Sequence, residues 1–180
     1  MSTSAIVENM NLAKDTLTNF PISISGDHAY IHKQKAYTAL VSVGTISAAY
    51  KIGFKTPSVA SGKYVHWRPT GISSSANYVA AILYEGDAFT GGDAVTPINR
   101  YRASIIGSSM QTFAKGVTVT PSGTIIDLDG FGTSGTPNNR SGGGSKSDEE
   151  LVLKANTNYV LQLTPAGETV CTAKLFWYEE

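Results

Sequence analysis

From Pro21 onward the chain alternates between apolar and polar positions. Tyr37, Ala39, Val41 and Val43 are separated by Thr38 and Ser42, and Tyr50, Ile52 and Phe54 alternate with Lys51, Gly53 and Lys55. Towards the C-terminus Tyr159, Leu161 and Leu163 alternate with Asn158, Val160 and Gln162, and Cys171, Ala173, Leu175 and Trp177 alternate with Thr172 and Lys174. Successive side chains of a strand point to opposite faces, so this period of two predicts strands with one buried and one wet face, as in antiparallel sheets. Residues 78–84, YVAAILY, are apolar throughout. Such a run predicts a central strand covered on both faces, or a face lying in a subunit interface. Turn chemistry recurs at Thr56-Pro57-Ser58, Pro69-Thr70-Gly71, Gly91-Gly92-Asp93, Pro121-Ser122-Gly123 and Pro165-Ala166-Gly167. Short strands so punctuated predict an all-β fold, an antiparallel β-sandwich of jelly-roll type, with no long helix after residue 21.

Two segments break the rhythm. In the first twenty residues Ile6, Met10, Ala13 and Leu17 are spaced four, three and four, a helical seam. So short a helix does not hold alone in water. Residues 1–20 are therefore read as an N-terminal arm, extended or briefly helical, and residues 21–180 as the sandwich domain. Phe20-Pro21 ends the arm, because the residue before a proline avoids helical geometry. The second segment, residues 132–146, reads GTSGTPNNRSGGGSK. With no apolar residue beyond one proline it has nothing to bury, and it is expected to be a solvated, mobile loop.

Composition narrows the function. Of the 180 residues 41% are apolar, enough for a core, while only 16% are charged, below the roughly 25% usual for soluble domains. A polar but sparsely charged surface suits repeated contact between subunits. Fourteen basic residues balance fourteen acidic ones, so the excess of positive charge that drives phosphate-backbone binding is missing, and no nucleic-acid partner is expected. The single cysteine, Cys171, excludes an intrachain disulfide and any multi-cysteine metal site. No signal-peptide pattern and no apolar run long enough for a membrane span are present, so synthesis in the cytoplasm and no membrane partner are expected.

Catalytic and metal chemistry finds little support. His28 and His32 are four apart, but the surrounding HAYIH reads as extended, where four residues span about 13 Å. His66 reads as part of a strand surface. Asp127-Leu128-Asp129-Gly130 is only the start of a calcium loop, without the later oxygen ligands and terminal glutamate. Asp148-Glu149-Glu150 reads as a solvated charge run. There is no nucleophile elbow, and Cys171 falls on the buried side of its strand. Glu85, Asp87, Asp127 and Asp129 are the only carboxylates considered for glycosidase work, and no pattern singles them out. No enzyme, cofactor or metal is expected.

Two stretches have a familiar look together. In the first, Tyr84-Glu85-Gly86 ends a strand, Gly91-Gly92 follows, and Thr96-Pro97-Ile98-Asn99-Arg100 comes next, with Arg102 keeping the basic spacing. In the second, Asn156-Thr157-Asn158-Tyr159 opens a strand and Trp177-Tyr178-Glu179 closes the chain. Ile52–Pro57 (IGFKTP) matches upstream. The combination resembles the head decoration, or cement, proteins of tailed bacteriophages, over about two-thirds of the chain and without the arm. Tyr101 departs from the polar residue usual at its position.

The resemblance implies a jelly-roll-like sandwich, a homotrimer on the virion's capsid surface, and stabilisation of the lattice through the major capsid protein. The contacts it points to are Ile6, Met10 and Leu17 of the arm, and Asn99, Arg100 and Arg102 on a short extended piece. These last three are also placed to meet Glu149, Glu150 or a neighbour's acids. Pro97 lacks an N–H for a ladder, so Thr96-Pro97 is expected at an edge or crossover. The competing reading is a head or tail fibre tip that stacks host glycans on Trp67, Trp177 and the nine tyrosines.

Overall fold

The computed structural model describes residues 13–14, 21–22, 26–132, 141–142 and 150–180. Ile6, Met10 and Leu17, the arm contacts, lie outside the described residues. So does the 132–146 stretch, apart from Gly132 and Ser141–Gly142.

A two-residue pairing of β1 (Ala13–Lys14) with β2 (Pro21–Ile22) precedes helix α1 (Gly26–His32). The strands β3 (Ala36–Ile46), β4 (Tyr50–Lys55), β5 (Val65–Ser74) and β6 (Val79–Glu85) follow. A long connection then carries β7 (Ala88–Thr90), β8 (Asp93–Ala94), β9 (Ile98–Asn99), β10 (Thr112–Lys115) and β11 (Thr118–Thr120). The chain closes with β12 (Thr124–Phe131), β13 (Ser141–Gly142), β14 (Leu151–Leu153), β15 (Asn158–Pro165) and β16 (Thr169–Glu179).

Two antiparallel sheets result. Sheet I runs β13-β5-β16-β3-β9, with β14 also on β5, and sheet II runs β12-β6-β15-β4-β10-β8. Number β3, β4, β5, β6, β12, β14, β15 and β16 from one to eight. Sheet I then reads 1-8-3-6 and sheet II reads 2-7-4-5. That interleaving is the jelly roll, two Greek keys wrapped into facing sheets. The long β6–β12 connection widens both sheets on one flank, adding β9 beyond β3, and β10 and β8 beyond β4. Thr96-Pro97 makes the crossing between sheets, from β8 in sheet II to β9 in sheet I, where a missing donor costs nothing.

The inner faces follow the period of two. Cys171, Ala173, Leu175 and Trp177 of β16 face Ile52 and Phe54 of β4 and Tyr159, Leu161 and Leu163 of β15 across the core, all buried. Aromatic rings bind the layers, Phe54 stacking on Trp67 at 4.6 Å and Phe113 on Trp177 at 5.6 Å, while within sheet II Phe54 also stacks on Tyr159 at 5.5 Å. Offset stacking of this kind adds to the area the rings bury.

Three local expectations are corrected. The HAYIH segment is helical, not extended. Tyr30 of α1 stacks on Tyr178 at 3.8 Å and donates to Glu180, so tertiary docking decides the conformation of a segment too short to decide it alone. Gln34, at φ 62°, ends the helix in the left-handed turn, with Gln34 N–H and Lys35 N–H donating to the carbonyls of Ile31 and Tyr30. Pro69-Thr70-Gly71 is not a turn but lies within β5, where the register against β16 slips between Arg68 and Gly71. A bulge is where a strand tolerates a residue without a donor. Val160, read as wet, is 1% exposed because Phe89 of β7 lies over its neighbour Gly53. The carboxylate of Glu179, at the end of β16, is itself buried, at 2% exposed. Among the described residues no helix is long and apolar enough to cross a membrane.

Candidate functional site

The motif residues singled out in the sequence are brought together mostly inside the molecule. Glu85, at the end of β6, accepts hydrogen bonds from Tyr159 Oη at 2.9 Å and Lys154 Nζ at 2.6 Å. The lysine contact, aided by Tyr159, outweighs burial and holds the Glu85 carboxyl below its ordinary range. Tyr159 responds in the opposite sense, raised first by burial and then by Glu85. Asp87 is buried and accepts from Ser122 N–H and Gly123 N–H, closing the turn before β12 onto the turn after β6. Thr56 and Thr157 exchange hydrogen bonds, and Asn156, at φ 52°, donates its N–H to Pro57 O. Glu179 accepts from Ser108 Oγ, Ser109 N–H and Trp177 Nε1–H, with Lys63 at 3.8 Å. These are locks between loops and strands, and their side chains are engaged within the fold.

Asn99 is the exception in effect, though not in kind. The sequence places it beside Arg100 and Arg102 as a surface contact. The structure buries it on the inner side of β9, opposite Tyr37. Its Nδ2 donates to Gln34 O at 2.8 Å and Ile106 O at 3.1 Å, while Oδ1 accepts from Tyr101 N–H at 2.9 Å. Ser104 tightens the same loop, its N–H donating to Tyr101 O and its Oγ accepting from Ile106 N–H. One buried amide thus pins both ends of a seven-residue loop, 100–106. Asn99 positions the loop and is not itself on its surface.

What the loop presents is open to solvent. Arg100, Tyr101 and Arg102 are exposed, and Ile105 is 101% exposed, with Ile106 at 48%. Arg100 lies 5.3 Å over the Phe176 ring, and Lys174 lies 5.0 Å over the same ring. Neither cation has a carboxylate within ion-pair distance among the described residues. Glu150, named above as a possible partner for these arginines, is engaged elsewhere, with His66 Nδ1 at 2.7 Å, Arg68 Nε at 3.2 Å and Tyr178 Oη at 2.7 Å. Burial works to raise the Glu150 carboxyl, but the His66 and Tyr178 hydrogen bonds and the charges of His66 and Arg68 together hold it below its ordinary range. Beside the loop, a groove of about 580 Å³ runs between Ala94–Pro97 and Gly107–Ala114. Its lining offers apolar side chains such as Val95, Pro97 and Met110, with backbone and hydroxyl groups, and no titratable side chain.

The remaining chemical candidates do not converge. His28 and His32 approach to 4.7 Å between ring centroids on α1, but no group of three histidine, cysteine or acidic side chains is placed to hold a metal among the described residues. Cys171 is buried, and burial pushes its thiol up, away from the reactive thiolate. Asp127 and Asp129 sit half-buried on the edge strand β12, paired in register with Leu83 and Ala81. Both tryptophans belong to the core, and the exposed Tyr64, Tyr78 and Tyr101 make no ring contact with one another. The exposed loop has one signal in the sequence, Ile105-Ile106 after two arginines, an apolar pair that belongs to no alternating run.

No protein-family model, curated protein or solved structure matches the chain.

Proposed function

We propose that this chain is a structural protein of a bacteriophage virion that binds the assembled capsid lattice, with the 100–106 loop as its contact with the major capsid protein. The observation that carries the reading is a rigidly pinned loop offering two arginines, a tyrosine and a fully exposed isoleucine. An apolar side chain held out in water, on a loop that also carries two exposed arginines, fits an apolar pocket with an acidic rim on another protein. The resemblance to decoration proteins supports the capsid as that partner. The jelly roll is compatible with it, being common among capsid and lectin domains, though a fold alone does not carry a function.

The test is co-sedimentation with empty capsids assembled from the major capsid protein of the same phage. Wild-type protein is expected in the pellet, and the Ile105→Asp/Arg102→Ala variant in the supernatant with an unchanged circular dichroism spectrum. A wild-type protein that stays in the supernatant at every capsid concentration ends the reading. Pelleting of the loop variant would instead move the contact elsewhere on the chain.

A further inference from the structure

Among the described residues, the outer face of sheet II is closed over one half and bare over the other. On the closed half the small β7–β11 sheet folds back, and Phe89 lies so close over Gly53 that a Cβ there would come within 2.7 Å of the ring. Val160 is buried beneath this cover. On the bare half, strands β6 and β12 turn Ala80, Ile82, Tyr84, Ile125 and Leu128 outward, with Tyr78 lying over Gly130. Tyr78 is 39% exposed, Ile125 54% and Leu128 60%, while Ile82 and Tyr84 are half-buried. These three exposed side chains alone leave on the order of 300 Å² of apolar surface in contact with water, the size at which a patch marks an interaction site.

We infer that this β6–β12 face is the contact between copies of this chain. The face carries no charged side chain, so a second copy of it brings an equally apolar surface and no like-charge repulsion. Its area is a little under half of the roughly 800 Å² each partner gives to a standard interface, a core for which Gln162 and Thr164 of β15, in register with Ile82 and Ala80, supply the polar rim. Segments 133–140 and 143–149, which follow β12 in the chain, contain no apolar residue beyond one proline and have nothing to lay on it. The contact is face to face, not strand to strand. The β12 edge is guarded by a bulge at Ile126 and by the charges of Asp127 and Asp129, devices that oppose edge pairing. A surface meeting its own copy closes most simply about a two-fold axis.

The inference goes beyond the capsid reading and stands or falls without it, since one is measured as mass and the other as pelleting. Sedimentation equilibrium of the full chain should show a concentration-dependent oligomer. Ile125→Glu/Leu128→Glu should give a monomer with an unchanged melting temperature, and the milder Leu128→Gln should raise the dissociation constant at least about tenfold. Leu40→Glu, exposed on the opposite sheet, should leave the oligomer intact. Three results would overturn the inference. One is a wild-type monomer at all concentrations, and another is a double variant that keeps the wild-type mass. The third is a chain lacking residues 1–20 that associates where the full chain does not, which would make the arm, with Ile6, Met10 and Leu17, the cover of this face.

Discussion

The 100–106 loop and the β6–β12 face are both exposed and both apolar in part, yet they are built by opposite means. The loop has no ladder of its own and owes its shape to one buried amide, Asn99, working against three backbone groups. It sits at the β9 edge of sheet I, among cations. The face is plain pleated sheet, rigid because β6 is paired on both sides by β12 and β15, and it carries no charge. β12 lies at the far end of sheet II from β10 and β8, so the two surfaces are on opposite flanks of the sandwich. The difference teaches that one small fold can hold two chemically distinct exposed surfaces apart, and the proposed contacts through them should respond differently to salt. Attachment through the loop should weaken with salt, because exposed charges are screened. Attachment through the face should not, and salts excluded from protein surface should strengthen it.

The largest expected effect comes from the boundary of the bare face. Gly53→Val drives a side chain into the Phe89 ring and must lift β7 from sheet II. Overpacking of this kind costs about 1–3 kcal/mol, and here it also uncovers Val160. Chemical denaturation should show that loss, and an apolar dye should bind more strongly than to wild type. If stability is unchanged, β7 is not the cover that divides the face, and the contrast between its halves disappears. Asn99→Ala comes next, at about 1–3 kcal/mol, because it strands the Gln34 and Ile106 carbonyls and the Tyr101 N–H. Amide exchange should accelerate at residues 100–106 and remain slow along β6.

These two regions were unequally legible in the sequence. The sheet was open to reading because alternation is local: Tyr159, Leu161 and Leu163 face inward as their spacing requires, and so do Cys171 to Trp177. YVAAILY was read as a strand covered on both sides or as an interface. It proves to be central in its sheet, with one face in the core and the other half open. Failures came where a distant residue decides. Val160 is buried by Phe89, seventy-one positions away, and the HAYIH segment coils because Tyr178 offers Tyr30 a ring to stack on. Asn99 looked like a surface ligand because a polar residue between Ile98 and Arg100 carries no mark of the carbonyls it will meet. The strand order needed the same long-range information, and no local pattern contains it.

Acid should separate the two surfaces again. Glu150 ties β14 to β5 and β16 beside α1, on the loop's sheet, whereas the bare face carries no carboxylate, histidine or amine. Its carboxyl is held low in the fold relative to an ordinary value of 4.5. The stability it contributes is therefore present above that value and is lost as pH falls through the lower folded one. Glu150→Gln should cost about 1 kcal/mol at pH 7, kept small by its exposure to solvent. The wild-type advantage over Glu150→Gln should shrink as the pH is lowered from about 5 to 3 in paired denaturation curves. Self-association through the β6–β12 face should show no such titration over the range where the fold persists.

The smallest effect on stability should be the most telling about function. Arg100 and Lys174 each lean on the exposed side of Phe176, a contact worth about 0.5–1 kcal/mol at the surface. Arg100→Ala/Lys174→Ala should therefore lower the melting temperature by no more than a few degrees. If the loop meets an acidic capsid rim, the same double variant should lose affinity for capsids at low salt and approach wild-type affinity at high salt, where screening has already removed the charge contribution. The two binding curves should converge as sodium chloride rises. Equal affinity of variant and wild type at low salt would show that the cations serve only to shelter Phe176, leaving Ile105 to carry the contact by itself.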